Sequence, residues 1–233
     1  MLLGNFELLL HDPSGFLRLT VLVAFSLVVA ITSHEFSHAL VATGLGDNTA
    51  RRLGRLSLNP KKHLDPAGTV LMLVAGFGWG KPVPVNHHRL SHRQTGMALV
   101  AAAGPLSNLM VAFLLALPIK LRLLDSSGFA LNRGARVMTG GPLDAMADIL
   151  GMVIFFNILL AVFNMVPLPP LDGSKVLAGV LPPNQANSYA RLERHGPVIL
   201  IGIIAIDYML GLGILWGIIG PVIRFLTNLA IGY

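Results

Sequence analysis

The sequence contains no cysteine, and only 12% of its 233 residues are charged, about half the share of an ordinary soluble domain. The first absence excludes a disulfide framework and any thiolate metal site, so a metal would have to be held by histidine, carboxylate or carbonyl oxygen. The second excludes an ordinary water-soluble enzyme. Acidic residues are also scarce, 11 against 17 Lys and Arg, for a formal net charge of +6. The basic residues lie between apolar blocks and form no dense run, so nucleic acid is not an expected partner. Charge that orients a chain in a bilayer accounts for them instead.

What is present is apolar sequence in blocks. Leu17–Leu45, Met97–Ile119 and Ala145–Met165 are long enough to cross the ~30 Å hydrocarbon core as helices, and Val198–Leu210 and Ile214–Ile231 follow. Pro66–Gly80 is glycine-rich and too short to span, which predicts a re-entrant segment. Lys81 to Asn86 alternates proline and valine, a pattern suited to an edge strand or to a plain extended linker. A short helix is expected near Lys175–Leu181, followed by a polar loop to His195. The expected fold is therefore all-α: a polytopic transmembrane helical bundle of about five to six membrane segments, with a small β-strand or hairpin over residues 79–90. No internal repeat or separate soluble domain is visible. The reading is one integral membrane domain over 1–233, with a catalytic core at 17–182 and C-terminal helices at 198–231. Met1 to Phe16 carries Glu7 and Asp12, with no basic n-region or cleavage site after it, and is expected to stay in the mature chain.

If Pro66–Gly80 does not cross, the loops before the second long helix and after the third share one side. They carry about 11 Lys or Arg against about 5 opposite, which predicts that this side is cytoplasmic.

The sharpest chemical signal is His34-Glu35-Phe36-Ser37-His38 inside the first apolar block. Residues four apart share a helix face, so two imidazoles can bind one zinc ion while the glutamate between them activates water. Ionisable groups inside a membrane helix are costly and mark function. A catalytic zinc takes a third protein ligand, and Asp172, just past the third long helix on the His34 side, is the candidate. Aspartate also caps helices, and a cap on the following short helix is its alternative role. His63, His87, His88 and His92 lie in polar loops and read as solvated or bracing residues. Asp207, a lone acid in an apolar helix, suggests gating or a basic partner in the bundle.

With these residues in place, the chain resembles the site-2 proteases, zinc metalloproteases that cut within the membrane. The resemblance is carried by His34-Glu35-x-x-His38, Leu58-Asn-Pro60 with His63-Leu-Asp-Pro-Ala-Gly-Thr69, Lys81-Pro-Val-Pro-Val-Asn86, Ala103-Gly-Pro-Leu-Ser-Asn108 and Asn164-x-x-Pro-x-Pro-x-Leu-Asp-Gly173, in the family's order. It is similar to the compact form of the family, without a PDZ-like insertion between the second and third long helices. The resemblance implies that His34, His38 and Asp172 bind zinc, one ion per chain, that Glu35 is the general base, and that Asn108 and Asn164 contact substrate or the developing oxyanion. An interhelical hydrogen bond is the other reading of Asn108. The implied activity is an intramembrane endopeptidase acting in or near a transmembrane helix of a membrane-protein substrate, in regulated proteolysis. The implied setting is the lipid bilayer of a prokaryotic cell membrane. Two other classes stand beside it, a zinc-binding membrane transporter and a non-catalytic membrane scaffold. Polar groups gathered at one end disfavour the first, and an intact Glu35 disfavours the second. The glycines at 76, 78 and 80 and the prolines at 167, 169 and 170 suggest broken helix around a polar cavity that admits water.

Overall fold

The computed structural model describes residues 6–75, 78–124 and 138–232. Helix α1 (Phe6–His11) leads into α2 (Pro13–Gly44). The α2 start is set by Asp12, whose carboxylate accepts the Gly15 N–H at 2.9 Å, and by Pro13 in the first turn, where a missing N–H costs nothing. After the short α3 (Thr49–Arg52), α4 (Pro66–Ala75) has 10 residues, about 15 Å of helix against a ~30 Å core. Leu64 and Gly80 form an isolated antiparallel bridge, and the Lys81 N–H donates to the His63 carbonyl at 2.7 Å. The chain thus returns beside its point of departure, which makes α4 part of a re-entrant excursion rather than a crossing.

The remaining helices are α5 (Arg93–Lys120), α6 (Pro142–Asn164), α7 (Asp172–Val180), α8 (Pro183–Glu193), α9 (Gly196–Leu210) and α10 (Ile214–Ile231). Among the described residues, α2, α5, α6 and α10 are long and apolar enough to cross a membrane, and α9 is shorter. Helices α2, α5 and α6 pack on one another, α7 lies against α5, and α10 covers α5 and α6. One apolar cluster joins Leu22, Val23, Leu27 and Ala30 of α2 to Met152 and Phe156 of α6. Another joins Ala112, Ala116 and Ile119 of α5 to Ile154 and Ile158 of α6 and Ile219 and Ile223 of α10. Alanines at these contacts let the helices approach closely, which matters in lipid because apolar burial gives no separate drive to associate. Leu17, Val21, Phe25, Leu106, Met110 and Leu114 remain exposed, as lipid-facing side chains should.

Three expectations are corrected. The strand expected near 79–90 does not form: residues 81–86 belong to no strand, one bridge lies at Gly80, and His87–Arg89 is a short 3-10 helix, because Pro82 and Pro84 have no N–H to donate to a ladder. The polar stretch before His195 is not a loop but contains α8, opened by Pro183; hydropathy cannot reveal a polar helix. Among the described residues Asp207 makes no ion pair with a basic side chain. Its carboxylate accepts the Ile214 N–H at 2.7 Å and the Leu215 N–H at 3.3 Å, satisfying the open N-terminus of α10. The absence of an insertion between α5 and α6 falls largely on residues 125–137, outside those described.

Candidate metal centre

His34 and His38 project from α2 one turn apart, and α7 brings Asp172 to them. The Asp172 Oδ2 lies 2.9 Å from His34 Nε2 and 3.1 Å from His38 Nε2. All three residues are buried, and one ligand atom from each falls within 4.8 Å of the others. Asp172 is the first residue of α7, whose N-cap is Leu171 and has no side-chain cap bond. Its carboxylate is therefore turned to the histidines, not to its own helix.

The surroundings are shaped for two imidazoles. A Cβ at Gly104 of α5 would lie 2.6 Å from Cε1 of both His34 and His38, so only glycine leaves room for both rings. The far nitrogen of each ring is also engaged. His38 Nδ1 lies 2.7 Å from the Val100 carbonyl, and His34 Nδ1 lies 2.7 Å from Asn108 Oδ1. A carbonyl only accepts, so His38 carries a proton on Nδ1, and its Nε2, like that of His34, faces the Asp172 carboxylate. Two Nε2 atoms and a carboxylate oxygen, with each ring held from behind, form a donor set that fits zinc.

Glu35 is turned to the other side of the histidines. Its Oε2 is buried without a hydrogen-bond partner, and its Oε1 would lie 3.5 Å from a Cβ placed at Gly80. It thus sits between the histidine cluster and the extended segment 81–86. That segment is pinned at both ends. The Arg55 guanidinium donates to the Lys81 carbonyl, and Asp47 accepts the Asn86 N–H at 2.6 Å. Burial pushes the Asp47 carboxyl up, but hydrogen bonds from the Thr49 hydroxyl and the Asn86 and Thr49 amides hold it below the ordinary carboxylate range. Between the two anchors, and among the described residues, Val83 and Val85 have no main-chain hydrogen bonds to other backbone groups, and the Val83 N–H is directed to Glu35.

A cavity of about 630 Å³ joins these parts, with His34, Glu35, His38 and Asp172 at its base and Val83 and Val85 on its wall. Gly78, Gly80 and Pro170 also line it, but most of the wall is aliphatic, so the expected polar cavity is polar only near the cluster. Asn164 borders the cavity while its amide donates to the Leu160 carbonyl of its own helix at 3.0 Å. Asn108 does not reach the cavity; both amide protons are spent on Ala30 and Asn157.

Asn157 was not anticipated from the sequence, although a lone amide in the apolar α6 is the same kind of signal that singled out Asp207. Lys175, three residues past Asp172, and Leu200 of α9 also line the cavity. Nothing in the local pattern marks Leu200, because its place depends on how α9 folds back. His63 is fully buried with Nε2 against the Ser57 carbonyl, a bracing role consistent with its loop position.

The pattern that defines peptidase family M50 matches residues 22–203. The chain is 38% identical over 200 residues, 86% of each chain, to "Putative zinc metalloprotease YwhC" of Bacillus subtilis. It is 27% identical over 195 residues to "Putative zinc metalloprotease Rip2" of Mycolicibacterium smegmatis, covering 81% of this chain and 68% of that one. The Mycobacterium tuberculosis (strain H37Rv) protein of the same name is 28% identical over 194 residues, 82% and 69% of the two chains. No solved structure matches.

Proposed function

The chain belongs to peptidase family M50, the site-2 protease family, and is a membrane zinc metalloprotease; on that premise we propose that it is an intramembrane endopeptidase hydrolysing a peptide bond in or near a transmembrane helix of a membrane-protein substrate. The observation that carries this reading is the convergence of His34, His38 and Asp172, beside Glu35, at the base of a largely apolar cavity.

In this reading His34, His38 and Asp172 hold one zinc ion, which when bound polarises a carbonyl and acidifies water. Glu35 takes a proton from the attacking water as the C–O bond forms, and delivers it to the amine nitrogen as the C–N bond breaks. Its unpartnered Oε2 is free for that exchange. The aliphatic wall excludes bulk water and accepts apolar side chains. The segment from Val83 to Val85 receives the unwound substrate as an added strand, supplying hydrogen bonds to a backbone that has left its own helix. Asn108 acts on His34 rather than on the oxyanion, and Asn164 stands at the cavity wall where a substrate backbone passes. His38 lies six residues, about 9 Å, from the end of the 32-residue α2, so cleavage takes place close to the membrane face that the basic loops assign to the cytoplasm. The bacterial relatives suit a prokaryotic membrane, and release of a membrane-tethered regulatory protein is the role this chemistry serves.

Purified Glu35→Gln should keep about one zinc per chain yet cleave a single-helix substrate at least a hundredfold more slowly, the scale of a lost general base. Wild-type cleavage by Glu35→Gln would refute this role, and absence of zinc from the wild type would refute the metal site.

A further inference from the structure

The two imidazoles are held from behind by acceptors of different kinds. His38 leans on the Val100 carbonyl, a main-chain group that cannot turn over. His34 leans on Asn108, whose amide can rotate by half a turn and would then present N–H groups where Nδ1 needs an acceptor. In that flipped state His34 would carry its proton on Nε2, and the nitrogen facing Asp172 would no longer offer a lone pair.

The structure holds the amide against that flip. Asn108 Nδ2 donates to the Ala30 carbonyl at 2.9 Å and to Asn157 Oδ1 at 2.8 Å. A flip would set Asn108 Oδ1 against these two acceptor oxygens. Asn157 is itself a rotatable amide, but its Nδ2 donates to the Val153 carbonyl of α6 at 2.8 Å, which leaves its oxygen facing Asn108. Both asparagines are wholly buried, so water cannot replace any bond in the series. The order runs from a main-chain carbonyl of α6, through Asn157 and Asn108, to the proton on His34 Nδ1.

We propose that Asn157 is a positioning residue of the metal centre: by fixing the orientation of the Asn108 amide it sets the Nδ1-protonated tautomer of His34 and so keeps Nε2 open to zinc. This rests on the zinc site proposed above. It also gives an amide 49 residues away in sequence from Asn108 a task that burial alone would not require, since leucine would suit an apolar helix better.

The test uses the full chain in detergent with ¹⁵N-labelled histidine. NMR of the metal-free protein reads which ring nitrogen of His34 is protonated, and competition with a chelator reads zinc affinity. The wild type should show His34 protonated on Nδ1. Asn157→Leu should show a mixture of tautomers and bind zinc about tenfold more weakly, the lower end of the effect of losing such a supporting bond. Asn157→Asp still offers Asn108 an oxygen and should retain most of both. Asn157→Ser, with too short a side chain to reach Asn108, serves in place of leucine if that variant does not fold. The His38 signal, held by main chain, should stay unchanged in all variants. A pure Nδ1 tautomer together with wild-type zinc affinity in the leucine or serine variant would overturn the proposal. So would an equal loss in the aspartate variant, since that marks a packing defect. Absence of zinc binding by the wild type would refute the metal site, and the metal-free tautomer measurement would still decide the relay.

Discussion

The α2–α5–α6 bundle joins the same three helices in two different ways. In one half, Leu22, Leu27, Met152 and Phe156, and beside them Ala112 and Ala116, belong to clusters of apolar side chains. In the other half the helices are tied by hydrogen bonds, His34 to Asn108, Asn108 to Asn157 and His38 to Val100. In lipid an apolar contact is little better than contact with the acyl chains it replaces, so the first half supplies shape without specifying a unique rotation of each helix. The second half specifies that rotation, because turning any one helix leaves a buried donor or acceptor unpaired in hydrocarbon. The polar half therefore sets helix register as well as chemistry, and damage to the two halves should separate cleanly.

The largest effect should come from Gly104→Val. Its side chain would occupy the space of both imidazoles, so zinc content should fall from about one per chain toward none, with cleavage lost and the thermal midpoint lowered by the overpacking as well. Retained zinc would mean that the histidine pair tolerates displacement, weakening the claim that this half is sterically exact. A smaller loss is expected at the rim. Replacing Val83 and Val85 with proline removes two N–H donors, each worth about 1 kcal/mol, and should slow cleavage of a single-helix substrate about tenfold or more while zinc content stays at the wild-type level. Unchanged cleavage would remove strand addition from the mechanism. The smallest effect on activity should come from the apolar half. Ile154→Ala, at a fully buried position, should cost about 2–3 kcal/mol of stability, seen as a lower thermal midpoint in detergent, with zinc content and cleavage rate below that midpoint unchanged. A loss of zinc in this variant would show that the halves are coupled and would break the comparison.

Much of this arrangement was legible before folding. The long apolar blocks correspond to α2, α5, α6 and α10 because a span is a local property of about 20 residues, and Pro66–Gly80 was too short to cross for the same reason. The HExxH motif placed His34 and His38 on one face because that relation lies within a single helical turn. Asp172 could be nominated by side and by residue type, but its alternative as a helix cap was removed only by seeing its carboxylate against both imidazoles. The alternation over 81–86 is compatible with an edge strand or an extended linker, and the linker forms because a strand also needs a partner and Pro82 and Pro84 have no donor to give one. The partners of Asp207, the amides of Ile214 and Leu215, belong to a helix start that hydropathy does not display.

The sequence by itself determined an all-α membrane protein, the places of the long apolar helices and the helix that carries two histidines and a glutamate, since each depends on hydropathy or spacing over neighbouring residues. Only the tertiary structure decided that Asn108 faces His34 and not the cavity, that Asn157 stands behind it, and that Gly104 makes room for the rings. Those relations join α2, α5 and α6 across 49 to 78 positions of sequence. Hydrogen bonds and steric exclusion act over about 3 Å, so their partners are chosen by how helices meet in space and leave no period or motif along the chain.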